Sequence, residues 1–134
     1  MNSILNLSEA ASIALHGIIL VAKSDSFTNV QKMADELGSS KHHIAKVMQR
    51  LTKGGYIDSL RGPKGGFVLK KSPKDITFLE IYELIEGEII ISKCPFGREH
   101  TCKFDKCILN NITIKLTKKF KEYMQSQTVE MYLD

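Results

Sequence analysis

A chain of 134 residues with 43% hydrophobic and 25% charged residues has the size and make-up of one ordinary globular domain, and with only three prolines it is neither low-complexity nor disordered. The formal net charge of +4 licenses solubility and weak attraction to anions, nothing more specific. The longest apolar run, Gly17 to Ala22, is too short to cross a bilayer and the first residues lack the charged segment of a secretion signal, so a soluble cytoplasmic protein with no membrane partner is expected.

In chain order, Ser8 to Lys23 reads as a helix that is apolar over most of its circumference. Glu9, Ser12 and His16 form its one polar stripe, so the helix must be buried. Thr28 with Gln31 fits a capping box, and Val30, Met33, Ala34 and Leu37 follow at helical spacing up to Gly38. Ser39 or Ser40 can cap the next helix, whose apolar stripe is Ile44, Val47, Met48 and Leu51 before Gly54 and Gly55. Two short amphipathic helices across a Gly-Ser-Ser turn make a helix-turn-helix. Two strand-like runs follow, Tyr56 to Leu60 and Phe67 to Leu69, around the glycine-rich tip Arg61 to Gly66; a basic hairpin in this place is a wing. Thr77 and Glu80 form a capping box, flanked by the staple pair Ile76 and Ile81, for a helix ending at Gly87. After a connector and a cysteine loop, a final helix is expected from about Asp105. It carries Leu109, Ile112, Leu116, Phe120 and Tyr123 as a stripe suited to a second copy of the chain. The expected fold is mainly α with a small β-hairpin: a winged helix-turn-helix over residues 1–90, with the cysteine loop and a dimerisation helix over 91–134, in one compact unit.

The charge is unevenly spread. From Lys41 to Lys74 nine basic residues face the single acid Asp58, a net of +8, which leaves −4 for the rest of the chain. Asp75 to Glu88 holds five acids and no base. A solvated basic face would explain charge alone, but a positive lobe that coincides with a winged helix-turn-helix fits double-stranded DNA. The residues outside the apolar stripe of the second helix are those expected at the groove: Lys41, His42, His43, Lys46, Gln49, Arg50 and Lys53, with Ser39 or Ser40 at the helix start. Arg61 and Lys64 at the wing tip would reach the adjacent backbone or minor groove, while Gly65 and Gly66 let the main chain approach closely. Adjacent His42 and His43 diverge on a helix and make no metal pair. The glycines at 62–66 lack the spacing of a nucleotide-binding loop, so no enzyme is expected.

All three cysteines, Cys94, Cys102 and Cys107, lie in one loop with spacing C-x7-C-x4-C. An odd number fits a disulfide framework badly; three thiolates can converge on an iron-sulfur cluster, two-iron or four-iron. Zinc through Cys94, His100, Cys102 and Cys107 competes, as does a metal-free thiol switch. The other class of function left open is a winged-helix protein-interaction module with structural zinc or free thiols.

The stretch SKHHIAKVMQRLTKGGYI at 40–57, followed by SLRGPKGGF at 59–67, resembles the recognition helix and wing of the bacterial IscR/NsrR-type regulators. Glu86-Gly87 and the first helix (Ala14-Leu15, Ile18 to Ala22) are similar as well, so the likeness spans nearly the whole chain. The resemblance implies a winged-helix homodimer on palindromic promoter DNA, dimerising through its longest helix, with a cluster on three cysteines placed as Cys94, Cys102 and Cys107 are. It also implies a fourth ligand, from the partner's first helix or three residues past the last cysteine. The matching positions here are Ser12 and Asn110, which leaves Glu9, Ser12, His16, His100 or an exogenous group open for that place. A homodimeric repressor that senses redox state, nitric oxide or cluster supply is the expected function.

Overall fold

The computed structural model describes residues 5–24, 27–63, 65–91, 94, 96–98 and 100–134. Helix α1 (Glu9–Lys23) begins where the Ser8 side chain accepts from Ala11 N at 3.0 Å. Ala11, Ile13, Ala14, Ile18 and Val21 are buried along it, as its near-continuous apolar surface requires. It lies at the centre, packed on α3 (Lys41–Lys53) and α4 (Phe78–Glu86) and touching α2 (Val30–Leu37). Gly17 permits the closest approach: a Cβ there would sit 2.8 Å from the Met33 Cε methyl and 3.3 Å from the Met48 sulfur.

The cap of α2 lies one residue later than the sequence suggests. Asn29, not Thr28, accepts from Lys32 N at 2.9 Å. Thr28 is committed elsewhere: its backbone exchanges hydrogen bonds with Phe67 at 3.2 and 2.7 Å, adding one bridging residue to the wing. A residue held in extended pairing with a strand cannot also set the helical turn. Gly38 closes α2 in the left-handed region at φ 72°, which glycine adopts without a Cβ penalty. Ser40 caps α3 by accepting from His43 N at 3.1 Å.

The wing is the antiparallel pair β1 (Ile57–Leu60) and β2 (Gly66–Leu69), with Ile57 opposite Leu69 and Leu60 opposite Gly66. Ile57 and Phe67 anchor it to the core. After a 3-10 turn over Pro73–Asp75, α4 starts with the full capping box: Thr77 accepts from Glu80 N and Glu80 accepts from Thr77 N. Ile76 and Ile81, the expected staple pair, are both fully buried.

Helix α5 spans Ile112–Ser126 and so begins well after Asp105, leaving Leu109 outside it. Asn110 and Asn111 both adopt positive φ (51° and 56°), a conformation asparagine tolerates but a helix cannot propagate through. Tyr82 and Phe120 meet edge to face at 5.2 Å and join α5 to α4. The chain end then returns to the start of α4: Phe78 N donates to Gln127 O at 2.9 Å and Val129 N to Ile76 O at 3.0 Å. Val129 is fully buried, and Phe78 stacks on Tyr132 at 5.1 Å. From Gln125 to Glu130 the sequence offers one apolar residue, Val129, too little for a periodic signal that would announce this return. Residues beyond 91 therefore contribute Met124 and Val129 to the interior.

Candidate DNA interface and cysteine loop

Helix α3 divides cleanly. Ile44, Val47, Met48 and Leu51 are buried, each at most 2% exposed, against α1 and its neighbours. Lys41, His42, Lys46, Gln49 and Lys53 are exposed on the other side, with His43 half-buried. Among the described residues no carboxylate pairs with Lys41, Lys46, Lys53 or Arg61; the ion pair present joins His43 Nδ1 to Glu9 Oε2 at 3.5 Å. Cations that share a face and have no acidic partner keep their charge available to a polyanion. Ser40 is exposed, but its hydroxyl already serves the helix cap, and Ser39 is half-buried.

Arg50, also expected at the groove, has partners within the protein. Its Nη2 donates to Leu84 O at 3.1 Å and Ile85 O at 2.8 Å, so the guanidinium binds the carbonyl end of α4 although the side chain stays exposed. The physical cause is the negative end of that helix, whose last carbonyls lack helical partners.

At the wing tip Arg61 is exposed. Lys64, expected beside it, lies outside the described residues. Gly65 donates its N–H to Gly62 O at 2.8 Å, and a Cβ on it would fall 2.4 Å from Leu60 O. Hairpin closure alone therefore demands glycine at that position. At Gly66 a Cβ would lie 2.3 Å from Thr28 O, so there the bridge to Thr28 demands glycine.

Cys94, Cys102 and Cys107 all line one cavity of about 870 Å³, together with Arg98, Lys103 and the apolar side chains of Phe96, Phe104 and Ile108. Cys102 is exposed; Cys94 and Cys107 are half-buried, and none is in a disulfide. The backbone N–H groups of Asn111, Leu109 and Asn110 bond to Cys107 and hold its thiol below the ordinary 9.0, favouring the thiolate. The paired left-handed asparagines create this arrangement of amides, a feature the cysteine spacing alone could not announce. As arranged, no three His, Cys, Asp or Glu side chains among the described residues stand close enough to hold a metal ion together. His100 is exposed and is not among the described residues lining the cavity. On α1, Glu9 is engaged with His43, and His16 Nδ1 lies 2.8 Å from Ser12 O.

A separate apolar hollow of about 400 Å³ is lined by Leu5, Leu7, Tyr82, Ile112, Leu116 and Phe120. Ile112, Leu116 and Tyr123 are exposed along α5. No helix among the described residues is long and apolar enough to cross a membrane.

Residues 7–134 match the Rrf2 family, described as an iron-dependent transcriptional regulator. Over 129 residues the chain is 26% identical to the HTH-type transcriptional regulator NsrR of Bacillus licheniformis, which covers 94% of this chain and 90% of that one. It is also 26% identical to the HTH-type transcriptional regulator IscR of Photorhabdus laumondii over 98 residues, 73% of this chain and 59% of that one. The solved structure of CymR, the global cysteine regulator of B. subtilis, matches with a TM-score of 0.75 at 26% identity over 97% of both chains. IscR of T. potens shares the fold, with a TM-score of 0.71 at 22% identity over 95% of this chain and 85% of that one.

Proposed function

The chain belongs to the Rrf2 family of transcriptional regulators, and from that premise we propose that it is a homodimeric promoter-binding repressor whose grip on DNA follows the state of Cys94, Cys102 and Cys107. The observation that carries the DNA reading is the outer face of α3, where Lys41, Lys46, Gln49 and Lys53 are exposed and the lysines have no acidic partner among the described residues. Lysines there neutralise phosphates, and Gln49 can pair with an adenine edge. His42, His43, Ser39, Ser40, Arg61, Lys64 and the Gly65 main chain complete the proposed contact surface.

The exposed Ile112, Leu116 and Tyr123 of α5, beside the hollow lined by Leu5 and Leu7, supply an apolar face for a second copy. Pairing through it would present two recognition helices to two half-sites.

The donor set of the cysteine loop fits a sulfur-ligated iron group: three thiols share one cavity, two cationic side chains line it, and backbone N–H groups hold the Cys107 thiol below its ordinary value. When bound, an iron-sulfur cluster would supply a centre sensitive to redox state or nitric oxide. Cys94, Cys102 and Cys107 would hold it, and drawing them together would order the loop between α4 and α5. Such ordering changes DNA affinity only through unequal binding to the two loop states, typically about 1 to 3 kcal/mol of coupling.

The test combines anaerobic purification with a fluorescence titration against native promoter fragments. Expected are a coloured dimer in sedimentation, loss of iron and acid-labile sulfide together in Cys102→Ala, and a salt slope lowered by about one in Lys46→Ala. A colourless protein with stoichiometric zinc would hand the loop to a structural site. A colourless, metal-free protein whose DNA affinity follows thiol oxidation would leave a cluster-free switch.

A further inference from the structure

The last turn of α3 and the last turn of α4 are joined by one side chain. Arg50 Nη2 donates to both Leu84 O and Ile85 O, two of the terminal carbonyls that α4 leaves without helical partners. Beside this contact, Gly54 lets the two helix ends close: a Cβ there would fall 2.9 Å from Leu84 Cδ2. The same end of α4 is tied directly to two further parts of the molecule, and through Ile89 to a third. Ser8, the cap of α1, donates to the Glu86 carboxylate; Ile89 N donates to Glu83 Oε2 at 2.7 Å; and Lys121 of α5 reaches Ile89 O at 3.5 Å. One residue later the chain passes Gly87 at φ 91° and enters the segment that leads to the cysteines.

We propose that Arg50 is a positioning residue, not a phosphate contact: it clamps the recognition helix to the end of α4, so that a rearrangement entering from the cysteine loop moves α3 through the Leu84 and Ile85 carbonyls. The inference deepens the proposed function and rests on it for the origin of the rearrangement. A guanidinium suits this post because its planar array of donors meets the partially negative carbonyl end of a helix. Lys46 and Lys53, one turn to either side on α3, have no acidic partner among the described residues and remain for the duplex.

The experiment is a double-mutant cycle read by amide hydrogen exchange in α3. Gly87→Ala strains the end of α4 from the loop side, since alanine resists φ 91°. In the otherwise native chain it should speed exchange across Lys41–Lys53 by about tenfold; on an Arg50→Gln background it should add nothing. Independent, multiplicative effects would overturn the clamp. A titration with random-sequence duplex supplies the second readout. Arg50→Gln should leave the salt slope unchanged, whereas a slope lowered by about one would make Arg50 a phosphate contact. Should Arg50→Gln fail to fold, side-chain NMR of the unaltered protein decides. Hindered rotation of the Arg50 guanidinium should persist when the duplex is added, and release of that hindrance on DNA binding would overturn the proposal. Failure of the sensor reading is distinct. If thiol or cluster state alters DNA affinity equally with and without Arg50, the clamp falls and the sensor stands; if exchange coupling is present while DNA affinity ignores the thiols, the clamp stands and the sensor falls.

Discussion

In the helix-turn-helix, Ile44, Met48 and Leu51 are completely removed from solvent, while in the cysteine loop Phe96, Phe104 and Ile108 are 64, 70 and 73% exposed. Both regions hold large apolar side chains, yet one has a core to bury them in and the other has a cavity. A head that reads a duplex needs fixed geometry, and it obtains this from close packing against α1. A loop whose large apolar side chains stay exposed has few buried contacts to lose and belongs to the low-stability end of the molecule.

That contrast can be broken most forcefully from the core. Met48→Ala removes a fully buried side chain and should cost about 2–5 kcal/mol in chemical denaturation. Phe104→Ala should stay within about 0.5 kcal/mol of the parent; comparable losses at the two sites would dissolve the distinction. The wing tests where rigidity ends. Gly66→Ala drives a Cβ against Thr28 O, so it should cost about 1–3 kcal/mol and reduce DNA affinity together with stability. A smaller effect separates two neighbouring residues. Asn29→Ala should cost about 1 kcal/mol as a lost helix cap, whereas Thr28→Ser, whose pairing with Phe67 runs through the backbone, should retain the bridge.

The smallest expected effect concerns alkaline stability. Burial first, then the charge of Glu80 and the hydrogen bond to it, raise the Tyr56 phenol above its ordinary 10.0. The folded state thus keeps the proton longer than the unfolded chain. This contribution is complete below pH 10 and is lost as pH climbs through the raised folded value. Denaturation midpoints should fall less steeply above that pH in Tyr56→Phe; identical slopes would leave the phenol without a role.

The winged helix-turn-helix was legible in the residues alone, because periodic apolar positions, serine and threonine caps and terminal glycines are local signals that agree with one another. The three cysteines and the basic lobe likewise stand out, since chemistry and charge are properties of residue type. Long-range packing and local backbone geometry place Thr28 in the wing, delay α5 until after Asn110 and Asn111, return the chain end to α4, and turn Arg50 to the Leu84 and Ile85 carbonyls. Each of these depends on a partner distant along the chain or on a local backbone choice open to many sequences. An exposed arginine on such a helix can serve a phosphate or the partially negative carbonyl end of another helix, and packing alone brings the latter close.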